Sequence, residues 1–175
     1  HDRPQEINTR QAFGHWEGDL ILFAKTRENL FTLRERKTRF LMGIKNATHH
    51  AQATSRTLIN YMKEKSGVVD TLTLDNDTAF VEHPTIAQEL ASQIYFCEPY
   101  KSWQKGGIEN GNRLIREKLP FKTSIQEWSQ EDVEKAINAL NERPMKCLGY
   151  ETPREAFLHE SKLRGIHLGE FALQA

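Results

Sequence analysis

A continuous apolar run, "LILF" (Leu20 to Phe23), stands directly behind two acids in "HWEGDLILFA". An uninterrupted apolar run is the pattern of a strand covered on both faces, because a strand with one wet face alternates. It predicts a central strand with helices on each side of the sheet. Asp19 then lies inside that strand, where a carboxylate without a partner is very costly. The rest of the chain has to supply the covering layers and answer that charge.

The layers are legible. "NLFTLRER" and "TRFLMGIKN" follow with short connections and predict an antiparallel meander of three strands. His49 and His50 lead into a helix over roughly 49–66, with Ala51, Ser55, Leu58, Ile59 and Met62 on one face and Gly67 as its stop. "VVDTLTLDN" reads as a strand ending at Asp75. "HPTIAQELAS" reads as a helix with proline in its first turn and His83 at its cap, and "QIYFC" as a short strand. A helix in "GGIENGNRLIREKLP" is closed by Pro120. Another starts at Ser129, with Asp132 completing a capping box and Trp128 placed to staple Val133; Thr152 caps a last short helix. The fold class is α/β, a mixed five-stranded sheet of three antiparallel strands followed by alternating strands and helices. The domain is expected over 1–158, with 159–175 as a C-terminal tail.

Composition narrows the function classes. The 24 Lys/Arg balance the 24 Asp/Glu, which excludes a bulk polycation and leaves local segregation. "RERKTR" (Arg34 to Arg39) is basic and "QEWSQEDVE" (Gln126 to Glu134) acidic, readable also as a solvated hairpin and an acidic helix start. Cys97 and Cys147 are far apart, against a disulfide framework or a zinc cluster, and Cys147 is expected to be a small buried residue. No apolar run reaches membrane-span length and no secretory signal opens the chain, so a cytoplasmic protein is expected. Beginning at His1, the chain is expected to be a fragment of something longer.

Three acids stand at telling places: Asp19 in the central strand, Asp75 at the carboxyl end of the fourth, and Glu109 on the glycine-bearing helix. Each has a bland reading, respectively a satisfied polar residue, an Asx turn, and an i,i+4 partner of Arg113. At roughly 100° per residue, Ile108, Ile115 and Leu119 form one seam of that helix. The neighbouring stripe carries Lys105, Glu109, Arg113 and Arg116. Gly106 and Gly107 are then expected to let this stripe approach a polyanion closely. Three carboxylates with no Cys or His cluster point to hard divalent cations, Mg²⁺ or Mn²⁺, as a pair of ions in phosphoryl transfer.

Five ordered motifs, "GHWEGDLI", "ERKTRF", "DNDTAF", "PYKSWQKGGIENGNRLIREKLP" and "LNERPMKCLGYETPREAF", resemble transposases of the insertion-sequence-thirty family, from about Arg3 to Phe157. That family sits in the Asp-Asp-Glu transposase and retroviral integrase superfamily, with a ribonuclease-H-like fold. The resemblance implies Asp19, Asp75 and Glu109 as catalytic metal ligands. It implies cleavage at transposon ends and transfer of the 3′-hydroxyl into target DNA. Lys101, Lys105, Asn112, Arg113 and Arg116 are the expected DNA contacts, and a homodimer or higher oligomer on DNA the expected assembly, without membrane or small-molecule cofactor. The upstream helix-turn-helix region of the family is absent from this chain. Two alternatives stay open: a nuclease of the same fold without strand transfer, and a decayed, non-catalytic DNA-binding remnant. The second rests on Asp77, which stands where the family has glycine; it adds negative charge near the expected metals and would be strained if the turn needs positive φ. His15 reads as a packed strand residue, and Tyr100 and Trp103 as core or rim packing or as base-stacking rings.

Overall fold

A computed structural model describes residues 3–24, 26–63, 65, 67–98, 106–120 and 124–166. Strand β1 (His15–Leu22) is central, as its apolar run requires. It pairs antiparallel with β2 (Asn29–Glu35) and parallel with β4 (Thr71–Leu74). Strand β3 (Leu41–Asn46) flanks β2 and β5 (Gln93–Phe96) flanks β4, so the sheet order is β3-β2-β1-β4-β5. The mixed five-stranded sheet is the one expected. The helices are α1 (Gln5–Asn8), α2 (Ala51–Lys63), α3 (His83–Leu90), α4 (Gly106–Lys118), α5 (Gln130–Asn141) and α6 (Pro153–Leu163). The four-residue α1, which anchors Ile7 at 2% exposure, has too short a pattern to be read from sequence.

Helices α4 and α5 cover the face that carries Glu17, Asp19, Thr32 and Arg34. Helix α2 and the Thr78–Phe80 turn lie on the other face, where Phe80 meets Phe31 edge to face. Gly18 has no room for a side chain on that second face, since a Cβ would lie 2.7 Å from Leu74 Cδ2. At the amino end of β1, Phe157 of α6 stacks on Phe40 at 4.3 Å and meets Trp16 at 5.8 Å. Helix α6 runs across residue 158, and beyond it Arg164 holds the Asp70 carboxylate at 2.7 Å. The capping boxes expected at Ser129 and Thr152 are both formed.

Strand β3 lies at the sheet edge, and α5 takes the place of a further strand. Asn141, fully buried, accepts from Leu41 N at 2.9 Å and donates to Leu41 O at 2.8 Å. Gln130 does the same for Lys45 N and Gly43 O, each at 3.0 Å. These four bonds remove the open ladder that an edge strand would offer to another chain.

The apolar run at Leu20–Phe23 is not covered evenly. Ile21 is fully buried, whereas Leu22 is 57% exposed and lines an open cleft with His49, His50 and Thr78. The reason is the length of β4: its last pair with β1 is Glu17↔Thr73, so β1 runs on past it with β2 as its only strand neighbour. Cys147 is exposed in the Lys146–Leu148 turn rather than buried. His83 does not cap α3; it is the first helical residue, with its ring edge-on to Phe96 at 4.9 Å.

The tightest packing on the α5 side is at Gly43, where an added Cβ would overlap Ile137 Cδ1. Gly43→Ala is expected to lower the unfolding free energy by about 1–3 kcal/mol. Ile137→Val, which removes that methyl, should restore much of the loss in the double variant. Urea denaturation of the four proteins of the cycle measures the coupling.

Candidate active site

Side chains two residues apart on a strand point the same way, so β1 turns both Glu17 and Asp19 toward α4. Their surroundings differ sharply. Glu17 is 1% exposed; its Oε2 accepts the Ile108 backbone N–H at 2.7 Å, and its Oε1 pairs with Arg36 Nη1. Asp19 is half-buried, and its Oδ2 accepts from Asn112 Nδ2 at 2.8 Å. Thr32 Oγ1 donates to Asn112 Oδ1 at 2.7 Å, which leaves the Asn112 amide donating toward Asp19.

Asp75 is the first residue past β4 and is half-buried. The β1–β4 pairs, His15↔Thr71 to Glu17↔Thr73, keep a constant offset of 56 residues. That offset, carried two places beyond the last pair, brings Asp75 level with Asp19 on the same face. Four residues earlier on that face, His15 Nδ1 and Thr71 Oγ1 are 2.9 Å apart, which is how closely this register sets neighbouring side chains. Burial lowers the His15 pKa, so the ring is neutral and packed, as expected. Asn76 Nδ2 donates to Cys97 O at 2.8 Å and ties the end of β4 to that of β5.

Glu109 is exposed on the first turn of α4, one helical turn before Asn112. The fold thus holds Asp19 within β1 just past the last β1–β4 pair, sets Asp75 directly after β4, and places Glu109 on the helix bonded to Asp19. It does not close the three into a cluster: among the described residues, no three His, Cys, Asp or Glu side chains group closely enough to hold a metal ion. In donor chemistry the set fits a hard divalent cation, since all three offer only carboxylate oxygens and Asp19 is already oriented by Asn112.

The expected roles on α4 are redistributed. Ile108, Ile115 and Leu119 form the buried seam, at 0%, 0% and 1% exposure. Gly107 serves a different purpose from the one expected, whereas a Cβ on Gly106 would meet nothing within 4 Å. A Cβ on Gly107 would lie 2.5 Å from Glu17 Oε2, and one on Gly111 2.8 Å from Leu41 Cδ2. The close approach is to the protein's own sheet. Asn112, expected to touch DNA, is 4% exposed and engaged between Thr32 and Asp19. Arg113 and Arg116 are exposed, with Arg113 on Glu117 at 2.5 Å. Lys101 and Lys105, with Tyr100 and Trp103, lie outside the described residues.

Nor is "RERKTR" a solvated hairpin. Arg34 and Arg36 turn inward, at 6% and 3% exposure. Arg34 Nη1 donates to Gly107 O, and Arg36 Nε donates to Ile7 O at 3.0 Å. Burial lowers both guanidinium pKa values, Arg34 to about 10, so both stay charged at neutral pH. Sequence reasoning passed over Glu17 and these partners. The signal was available in part: Glu17 shares a strand face with Asp19 and needed a buried cation just as Asp19 needed a partner.

The fold defines a class, the ribonuclease-H-like α/β fold that integrase catalytic cores share. The catalytic core of bovine immunodeficiency virus integrase superposes with a TM-score of 0.69 at 18% identity, covering 88% of this chain and 99% of that one. A chain of the simian T-cell lymphotropic virus intasome gives 0.66 at 15%, covering 82% and 53%. At such identities the likeness is one of fold. In sequence, the homologues of the chain are transposases of the insertion-sequence-thirty family. It is 33% identical over 156 residues to the transposase of IS4351 from Bacteroides fragilis and 31% identical over 156 to InsI of IS30A from Escherichia coli. It is 33% identical over 154 to the transposase of IS1086 from Cupriavidus metallidurans. These matches cover 89%, 89% and 87% of the chain but only 48%, 40% and 45% of those proteins, so the chain spans less than half their length. No protein-family model matches the chain.

Asp77 shows no backbone strain. Its φ is −79° and ψ 145°, an extended conformation open to any residue, and its Oδ1 accepts from Ala79 N at 2.8 Å to cap the Thr78–Phe80 turn. The same oxygen lies 3.2 Å from His49 Nε2. The expected positive φ is therefore absent, because the chain turns after Asp77 rather than at it. Asp77→Gly is expected to lower the unfolding free energy by a few tenths of a kcal/mol and Asp77→Ala by about 1 kcal/mol. Urea denaturation checks the order; a glycine variant more stable than the wild type would restore the strained-turn reading.

Proposed function

We propose that the chain is the catalytic core of a DNA transposase, which hydrolyses a phosphodiester at each end of its element and joins the freed 3′-hydroxyl to target DNA. The reading is carried by the level placement of Asp19 and Asp75 on adjacent parallel strands, with α4 bonded to Asp19 one turn from Glu109. The homologous transposases support it. Asp19, Asp75 and Glu109 would hold Mg²⁺ or Mn²⁺, as two ions. The ions would supply Lewis acidity at the scissile phosphate. The protein's own part is to hold and orient these carboxylates: Asn112 sets the Asp19 rotamer, and α4 brings Glu109 to the same edge. The partners are transposon-end and target DNA, on which the protein works as a dimer or larger assembly in the bacterial cytoplasm. No described helix is long and apolar enough to cross a membrane. The strained-turn argument for the remnant alternative falls, since Asp77 is an unstrained turn cap.

Asp19→Asn, Asp75→Asn and Glu109→Gln are each expected to abolish Mn²⁺-dependent nicking of supercoiled plasmid and leave the circular dichroism spectrum intact. An asparagine at 19 can still accept the Asn112 bond, so loss of the fold is not expected to confuse the result. Near-wild-type nicking by any one variant would remove that residue from the set. Strand transfer into a second plasmid separates a transposase from a nuclease of the same fold.

Arg113 and Arg116 stand on the exposed side of α4 and are the proposed phosphate contacts. The Arg113–Glu117 pair does not compete strongly, because an exposed i,i+4 pair is worth only about 0.3–0.5 kcal/mol. Alanine at either arginine is expected to weaken DNA binding regardless of sequence and to reduce the slope of log K against log salt by about one. Fluorescence anisotropy over a salt series measures that slope; an unchanged value in both variants would leave these arginines as surface residues only.

A further inference from the structure

The geometry points to Glu17 as a positioning residue whose buried carboxylate holds the first turn of α4, and with it Glu109, in register with Asp19. This rests on the transposase reading. Both oxygens of Glu17 are engaged inside the protein, Oε2 on Ile108 N at 2.7 Å and Oε1 on Arg36, so it is not a fourth member of the carboxylate set. What it binds is the peptide N–H of the residue immediately before Glu109. The first N–H groups of a helix lack partners within it, and a negative charge there also suits the helix dipole. Arg34 grips the same turn from the other side through Gly107 O. Gly107 makes the grip possible, because a Cβ there would lie 2.5 Å from Glu17 Oε2.

Glu17 and Asp19 are two residues apart on β1, and Ile108 and Glu109 are neighbours on α4. One strand and one helical turn therefore carry both the clamp and two of the three candidate carboxylates. A second tie, Asn112 to Asp19, lies one turn further along and is insufficient by itself. A helix held at one point pivots about it, and the Glu17 bond, with Arg34 on Gly107 O, fixes the end that bears Glu109. The charge of Glu17 matters as well as its shape, because Arg36 is 3% exposed and forms an ion pair with Glu17. Arg36 also reaches Ile7 O at 3.0 Å, so the clamp is braced against α1.

The test uses the 175-residue chain and three variants: Glu17→Gln, Gly107→Ala, and Gly107→Ala combined with Glu17→Asp. The shorter aspartate draws the carboxylate back from the added methyl. Plasmid nicking in Mn²⁺ is expected to lose about 10- to 100-fold in kcat in each single variant, with KM for DNA within about twofold, since a small misplacement acts on the reacting geometry. The double variant should regain much of the rate. Amide hydrogen exchange should quicken at least about tenfold in residues 106–112 and stay unchanged in β2 and β3. Unchanged kcat in both single variants, alongside an inactive Asp19→Asn, would overturn the positioning role and leave the transposase reading standing. Loss confined to KM, or faster exchange throughout the chain, would equally overturn it by marking Glu17 as a general structural residue. Should Asp19→Asn nick as well as the wild type, the reading of the site falls and this inference with it.

Discussion

Glu17 is 1% exposed in the middle strand of the sheet, and a carboxylate so placed is tolerated only when its charge and both its oxygens are answered. The answers come from three separate parts of the chain: Arg36 just past β2, the Ile108 N–H at the start of α4, and Gly107, which leaves room for the carboxylate. Once these are in place, little else about α4 is free. Its first turn must sit over β1, Gly107 and Gly111 must face the sheet, and Ile108, Ile115 and Leu119 must fall on the buried side. Arg34 then closes the polar patch by taking the Gly107 carbonyl. Replacing such a patch with apolar side chains of the same volume would cost little stability, so its presence bears on specificity of docking.

The second constraint is the brevity of β4. Four residues long, it leaves β1 at Glu17, and the sheet opens where β1 continues alone with β2. Side chains at that opening are half-buried, accessible and still held by a rigid strand. Asp19 and Asp75 occupy it, and Leu22 and His49 line the cleft beyond. Crevices at the carboxyl ends of parallel strands are the general place for sites in α/β sheets, and the physical cause here is visible as a strand that stops early.

The likeness to viral integrase cores at 18% and 15% identity shows how much sequence this architecture can lose. The transposase homologues, at 31–33%, keep more of its sequence, and the match spans less than half of their length.

The sequence by itself determined the elements and their order. The apolar runs marked the strands, the three-and-four spacing marked the seam of α4, and Ser129 and Thr152 marked two helix starts, because these signals are local and rest on backbone periodicity and capping. It also read Asp19 onto β1 and Glu109 onto α4, and Asp75 one residue inside a strand that ends at Leu74. Only the tertiary structure decided which polar residues face inward. Arg34 and Arg36 read as a basic surface and are buried; Asn112 read as a DNA contact and bridges Thr32 to Asp19; Asp77 read as a strained turn residue and is an extended cap. Glu17 was one of two acids in "EGD" with nothing local to tell them apart. Its fate depends on partners 19 and 91 residues away, and a pairing over such separations is set by how the sheet and α4 meet, which no local pattern encodes.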